Sequence, residues 1–241
     1  MPGHERRAFI LKQLTQTGSV RVTELAASLK VDPVTIRRDL ARLETTGRLL
    51  RVHGGAILRE VAPRPADNLE QRIAAAAGRL IPDNSIVFLG PGPLTVEMAP
   101  YLGEHKHLTI ITNALDVAWH VAQLHQHILH LIGGQVEPDY SIYGDLQTFP
   151  HIQADWIVLE ADGLDAERGL THDDVHYANM ARALFSLNAQ FMIPLRPARV
   201  GHAGAVFVAP AEKVDVLVTG REAPNAPLWD LSETGMRVVL T

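Results

Sequence analysis

The apolar residues of this chain follow two different rhythms. Between Val20 and Leu43 they recur at helical spacing: Leu25, Ala26 and Leu29 fall on one side of a short segment, and Ile36, Leu40 and Leu43 recur at intervals of four and three. Each set predicts a helix with one buried stripe. Thr23 is placed to cap the first helix, Lys30 and Val31 to make the turn, and Asp32 to cap the second. Pro33 then takes the first helical position, where a missing N–H costs nothing, and Gly47 ends the helix. Past residue 69 the rhythm changes. Short continuous apolar runs at 85–89, 108–112, 128–132, 156–160, 191–194 and 214–218 read as buried strands. Amphipathic stretches at 69–81, 94–102, 114–124 and 177–188 read as helices. This alternation predicts an α/β domain with a mostly parallel sheet covered by helices. The stiff run Ala62-Pro63-Arg64-Pro65-Ala66 separates the two regimes, giving domains at 1–61 and 67–241.

The second short helix leaves Val34, Thr35, Arg37 and Arg38 on the outer face of its N-terminal turns, the part of a recognition helix that meets base edges. Asp39 could pair with one of these arginines, which would reduce the run to a solvated helix face. The residues from Arg48 to Arg51, followed by His53-Gly54-Gly55, read as a basic wing crossing the phosphates. Charge segregation favours the nucleic-acid reading. Residues 1–60 hold 11 Lys/Arg against 6 Asp/Glu, whereas the rest of the chain holds 11 against 21. An acidic protein that gathers its positive charge on one helix-turn-helix is arranged to approach phosphates at one end. The expected DNA contacts are Thr23, Pro33, Val34, Thr35, Arg37, Arg38, Arg48, Arg51, His53 and Gly54.

Composition removes several classes of function. The chain contains no cysteine, so disulfides, thiolate metal sites and Cys nucleophiles are excluded. No apolar run approaches the roughly 20 residues of a membrane span, so a cytoplasmic location and no membrane partner are expected. No cofactor is implied. Of the 12 histidines, His172 and His176 would share a face if their segment were helical, with Asp173 and Asp174 beside them. His120, His125, His127 and His130 form a second group, and neither group supplies three metal ligands at a recognised spacing.

The motifs E-R-R-A-F-I-L-K-Q-L at 5–14, V-T-E-L-A at 22–26, V-D-P-V-T-I-R-R-D-L at 31–40 and R-V-H-G-G-A at 51–56 together resemble the DeoR family of bacterial transcription regulators. I-T-N-A-L-D-V-A at 111–118, L-I-G-G-Q-V at 131–136 and A-D-G-L-D-A-E-R-G-L-T at 161–171 extend the resemblance over nearly the whole chain. It implies a winged helix-turn-helix joined to a sensor domain that resembles ribose-5-phosphate isomerase and responds to a phosphorylated sugar or related metabolite. It also implies operator DNA as partner, and because one helix-turn-helix module makes only a small contact with DNA, a homodimer or homotetramer built through the C-terminal domain is expected.

Ligands of parallel sheets bind beyond the carboxyl ends of the strands. The run Gly90-Pro91-Gly92-Pro93-Leu94-Thr95 leads from a strand into a helix whose N–H groups are expected to stand free for an anion. In the family pattern this loop carries an aspartate, a serine and three threonines, and here only Gly92 and Thr95 match. Asn113, Asp162, Gly163 and Thr171 also match. Arg199 falls where the pattern has a lysine, while Asn179 to Arg182 lack a glutamate and lysine expected of that helix. The expected effector contacts are therefore Gly92, Thr95, Asn113, Asp162, Gly163, Thr171 and Arg199, in a pocket rewritten away from ordinary sugar phosphates. Three readings compete: a metabolite-sensing repressor, a regulator whose degenerate pocket serves only oligomerisation, and an isomerase-like enzyme. The last lacks the positioned base and phosphate cradle such chemistry needs.

Overall fold

The computed structural model describes residues 3–17, 19–45, 49–52, 54–58, 68–144, 151 and 153–241. Gly47, Arg48, His53 and the connector at 62–66 lie outside them. The chain divides into two compact units, Met1–Pro65 and Ala66–Thr241.

The first unit runs α1 (Gly3–Thr17), β1 (Ser19–Arg21), α2 (Val22–Leu29), α3 (Pro33–Thr45), β2 (Leu49–Val52) and β3 (Gly55–Leu58). Ile10 and Leu14 of α1, Leu25 and Ala26 of α2, and Ile36, Leu40 and Leu43 of α3 close one core with Leu49 and Ala56. The predicted stripes are the buried ones. Lys30 adopts the left-handed conformation at φ 51°, and Asp32 Oδ1 accepts the Val34 N–H at 2.6 Å, so the turn and the second cap form as expected. The first cap does not. The helix begins at Val22 after an extended Arg21, and Thr23 lies exposed inside its first turn. Val22 is drawn in early because its N–H bonds Gly54 O, continuing the pairing of β1 with β3. The wing hairpin, β2 with β3, forms the other side of a three-stranded sheet ordered β1-β3-β2.

The second unit is built on seven parallel strands. In chain order they are β4 (Ile86–Leu89), β5 (Thr109–Thr112), β6 (Ile128–Leu131), β9 (Trp156–Val158), β12 (Gln190–Pro194), β14 (Val216–Thr219) and β15 (Arg237–Leu240). Their spatial order is β15-β14-β12-β9-β4-β5-β6, every pairing parallel. Successive residues of a strand point to opposite faces, and the two cores follow that alternation. Phe88, Ile157, Ile193 and Leu217 pack on one face against α7 (Val175–Leu184) and α8 (Asn225–Glu233). Val87, Leu89, Val158, Met192 and Val216 pack on the other face against α4 (Leu69–Arg79), α5 (Pro93–Leu102) and α6 (Leu115–Ala122). A small hairpin, β7 (Gln135–Val136) with β8 (Ile142–Tyr143), follows β6. A separate antiparallel sheet joins β10 (Gly163–Asp165), β11 (Gly169–His172) and β13 (Val206–Ala209). The apolar runs predict six of the seven parallel strands, β4, β5, β6, β9, β12 and β14, but miss β15 and the small sheets.

Candidate functional site

The first candidate surface lies on α3. Its apolar stripe faces the core, which leaves Val34, Arg37 and Arg38 exposed and Thr35 half-buried. Asp39 does not pair with its neighbours. Its side chain is only 5% exposed, Oδ2 accepts Arg6 Nε of α1 at 2.5 Å, and Arg7 Nη1 lies 3.5 Å from Oδ1. Adjacent helical residues do not face one another, so the carboxylate turns inward while the two arginines stay outside. Arg37 and Arg38 enter no ion pair among the described residues. Pro33 and Arg51 are also exposed, and Gly54 turns the wing at φ +83°, a conformation natural to glycine. Arg48 and His53, expected in the same surface, lie outside the described residues.

The second candidate lies where the strand order of the large sheet reverses. From β4 the chain steps outward through β5 to β6, then returns to place β9 on the other flank of β4. A crevice opens at such a reversal, outside the carboxyl ends of the two diverging strands. The loop Gly90–Gly92 leaves β4 there and enters α5, and Glu160 follows β9.

Glu160 fills this place. Its carboxylate Oε1 accepts the Leu94 N–H at 2.5 Å and the Thr95 N–H at 3.0 Å. These are two of the N–H groups expected to be free for an external anion, so that expectation is corrected. The chain's own carboxylate satisfies them, at the positive end of the helix dipole. Gly92 makes the room: it sits at φ +146°, and a Cβ there would lie 2.2 Å from Oε1. Burial pushes the Glu160 carboxyl up to about 7, opposed by the Thr95 and Leu94 N–H groups and by the charge of Arg196. Arg196 is itself held at 2.8 Å by Glu70 of α4. Above the carboxylate, the Tyr177 hydroxyl accepts the Glu160 backbone N–H and donates to the Glu160 carbonyl, both at 2.9 Å. Burial holds this phenol well above its ordinary range.

The other expected effector residues divide into groups. Thr95 is fully buried, with its hydroxyl 2.8 Å from Gly90 O and 2.7 Å from Gly92 O, so it closes its own loop and does not face a ligand. The Thr171 hydroxyl is likewise committed, donating to Gly163 O at 3.1 Å and accepting the Gly204 N–H at 2.7 Å. Gly163 lets His202 O approach to 2.3 Å of where its Cβ would be. Asp162 and Arg199 come together, with Arg199 Nη2 3.8 Å from Asp162 Oδ1, and the Asp162 Oδ2 accepts the Asp173 N–H. Asn113 is fully buried. Its Nδ2 donates to Ile142 O at 3.1 Å and meets Met180 Sδ at 3.2 Å, while its Oδ1 has no partner among the described residues.

The histidine pair is corrected too. His172 ends β11 and His176 lies in α7, so the two do not share a helix face. His172 stacks on Tyr177 with ring centroids 3.9 Å apart, and its Nδ1 accepts the Asp174 N–H. Among the described residues, no group of three His, Asp or Glu side chains gathers as a metal site. No helix among them is long and apolar enough to cross a membrane.

Sequence reasoning missed Glu160 and Tyr177. The signal for Glu160 was present: an acidic residue ending the apolar run Trp156-Ile157-Val158-Leu159, at the edge of the sheet where ligands bind. Within the run at 156–160 it takes the place of the last residue of a strand. For Tyr177 the sequence offers no comparable sign, because its partner is a backbone distant along the chain.

A family described as a DeoR-like helix-turn-helix domain matches residues 6–61, and one described as the DeoR C terminal sensor domain matches residues 67–221. The chain is 28% identical over 247 residues to the glycerol-3-phosphate regulon repressor of Escherichia coli (strain K12), covering 98% of each. It is 27% identical over 246 residues to the HTH-type transcriptional regulator GolR of Listeria innocua, covering 97% of each. Among solved structures it is similar to ribose 5-phosphate isomerase from Plasmodium falciparum, at 15% identity and a TM-score of 0.39, over 54% of this chain and 53% of that one.

Proposed function

This chain belongs to the DeoR family of transcription regulators, and we propose that it is a repressor that reads operator DNA through α3. The single observation carrying this reading is the division of labour around Asp39. The carboxylate that could have neutralised Arg37 or Arg38 is buried against Arg6, which leaves both guanidinium groups exposed at the end of the helix that meets base edges. Selection of bound duplexes from a random-sequence pool tests it. Enrichment of one sequence, lost in the Arg37→Ala/Arg38→Ala protein, is expected; no enrichment by the wild type overturns it.

In the same reading, residues 1–61 form the DNA-binding domain and residues 67–241 the effector and oligomerisation domain, and the protein works in the cytoplasm without catalysing a reaction. The effector is a small metabolite bound in the crevice beyond β4 and β9, bordered by Glu160, Asp162 and Arg199. The domain also joins copies of the chain. Among the described residues, strand β6 ends the large sheet with one unpaired edge and carries exposed Ile128 and Leu131, and the hairpin that follows exposes Val136 and Tyr140. An apolar sheet edge of this kind is a template for pairing with another strand, and a second copy of this chain supplies one. The reading of a pocket kept only for oligomerisation draws on the committed hydroxyls of Thr95 and Thr171.

A further inference from the structure

We infer that Glu160 sets the ligand class of the sensor domain: its carboxylate, tethered at the tip of β9, occupies the seat an anion would take on α5 and so excludes phosphate esters from it. The inference rests on the reading of that crevice as the effector site, and it adds what the site refuses. Three observations carry it. The Glu160 Oε1 accepts the Leu94 and Thr95 N–H groups, the donors that a helix N-terminus presents to a phosphate oxygen. The side chain is packed into place and not resting on the surface, since the residue is only 8% exposed. Its backbone is pinned on both sides by the Tyr177 hydroxyl.

The neighbouring residues are fitted to this occupant. Gly92 approaches Glu160 so closely that any Cβ would overlap the carboxylate. Thr95 turns its hydroxyl back onto Gly90 O and Gly92 O, so it offers nothing to a phosphate. Arg196 lies near enough to stabilise the charged form of Glu160 but is tied to Glu70. A phosphate brought to this seat would have to displace a carboxylate linked covalently to the sheet, whose effective concentration is set by the fold and not by solution. An effector accepted here therefore carries no phosphate on its α5 side. Glu160 Oε2, which accepts no hydrogen bond among the described residues, is an acceptor suited to a ligand hydroxyl.

The test uses the full-length protein and inorganic phosphate as probe. Thermal unfolding of the sensor domain is followed with rising phosphate for wild type, Glu160→Ala and Glu160→Gln, all at one ionic strength. Glu160→Ala frees the two N–H groups, and phosphate a hundredfold above its dissociation constant should then raise the transition by about 5–10 °C relative to wild type. Glu160→Gln keeps an oxygen on the same donors and should stay as unresponsive as wild type. Where alanine fails to fold, Glu160→Ser replaces it in the same comparison. A specific response of the wild type, or a folded alanine or serine variant that ignores phosphate, overturns the inference. DNA affinity of Glu160→Ala with and without phosphate separates the two readings: phosphate binding that leaves DNA affinity unchanged keeps this inference and removes the crevice as effector site.

Discussion

Asp39 and Arg6 are joined at 2.5 Å across the interface of α3 and α1, with the carboxylate 5% and the guanidinium 13% exposed. The pair fixes the recognition helix against the rest of its unit without using either arginine beside it. Removing one partner of a buried ion pair costs more than the intact pair contributes. Asp39→Ala should destabilise the DNA-binding unit by about 3 kcal/mol, read as an earlier transition in urea. Its DNA affinity, measured where the unit remains folded, should stay within about threefold of wild type. A variant as stable as wild type would show that the pair does not hold α3.

Arg37 and Arg38 should behave in the opposite way. The double alanine substitution should leave the urea transition unchanged and weaken operator binding, by about 1–3 kcal/mol for each guanidinium that reads a guanine edge. A phosphate-only role predicts instead an equal loss on all sequences and a shallower salt dependence. Titrations at two salt concentrations on operator and scrambled duplex distinguish these, and unchanged affinity on both removes α3 from the interface.

The Glu160 carboxyl links stability of the sensor domain to pH. Its ordinary value is 4.5 and burial raises it to about 7 in the folded domain. Between those values the folded domain holds a proton that the unfolded chain has released. Stability therefore rises as pH falls from about 7 toward 4.5 and declines as pH rises through that window, by on the order of 3 kcal/mol over its whole width. Arg196, Glu70 and Tyr177 face the group, and the Tyr177 phenol stays protonated throughout. Urea midpoints at pH 5 and pH 7.5 should differ more for wild type than for Glu160→Gln. Equal pH dependence in the two proteins would mean that Glu160 titrates normally.

Gly92→Ala tests the fit of the loop around that carboxylate. The substitution adds a Cβ 2.2 Å from Glu160 Oε1 at a φ of +146°, so it incurs both overlap and backbone strain. A loss of about 2–4 kcal/mol is expected in the sensor domain. The same substitution in a Glu160→Ala background should recover the overlap component and retain the strain. Additive losses in the double variant would show that the two residues do not meet.

The exposed edge of β6 predicts assembly. Sedimentation at micromolar concentration should show at least a dimer, and Ile128→Glu should shift the protein toward monomer with the fold retained. A monomeric wild type, with and without DNA, would sink this assignment.

What the sequence made legible was whatever depends on local periodicity. The stripes Ile36-Leu40-Leu43 and the apolar strand runs are set by burial of one face, so their spacing is visible in the chain itself. The Asp32 cap and the Lys30 turn were readable for the same reason, as their partners lie within five residues. Long-range partners were not readable. Asp39 meets a residue 33 positions away, and Glu160 bonds N–H groups 65 and 66 positions away. A carboxylate at a helix N-terminus can be supplied by any part of the fold that comes near it. The free donors expected at α5 were thus a correct reading of the helix alone and a wrong one for the folded chain.

The two hydrogen bonds between the Tyr177 hydroxyl and the Glu160 backbone have a mechanical consequence. A phenol here does the work of an adjacent strand, supplying one acceptor and one donor to the last stretch of β9. Leu159 still bonds the ladder through Met192 O, and Glu160, one residue on, is fastened to the first turn of α7. A displacement of α7 would therefore reach the Glu160 backbone through a single ring. Tyr177→Phe would cut that linkage and leave the Glu160 N–H and carbonyl without their phenol partner.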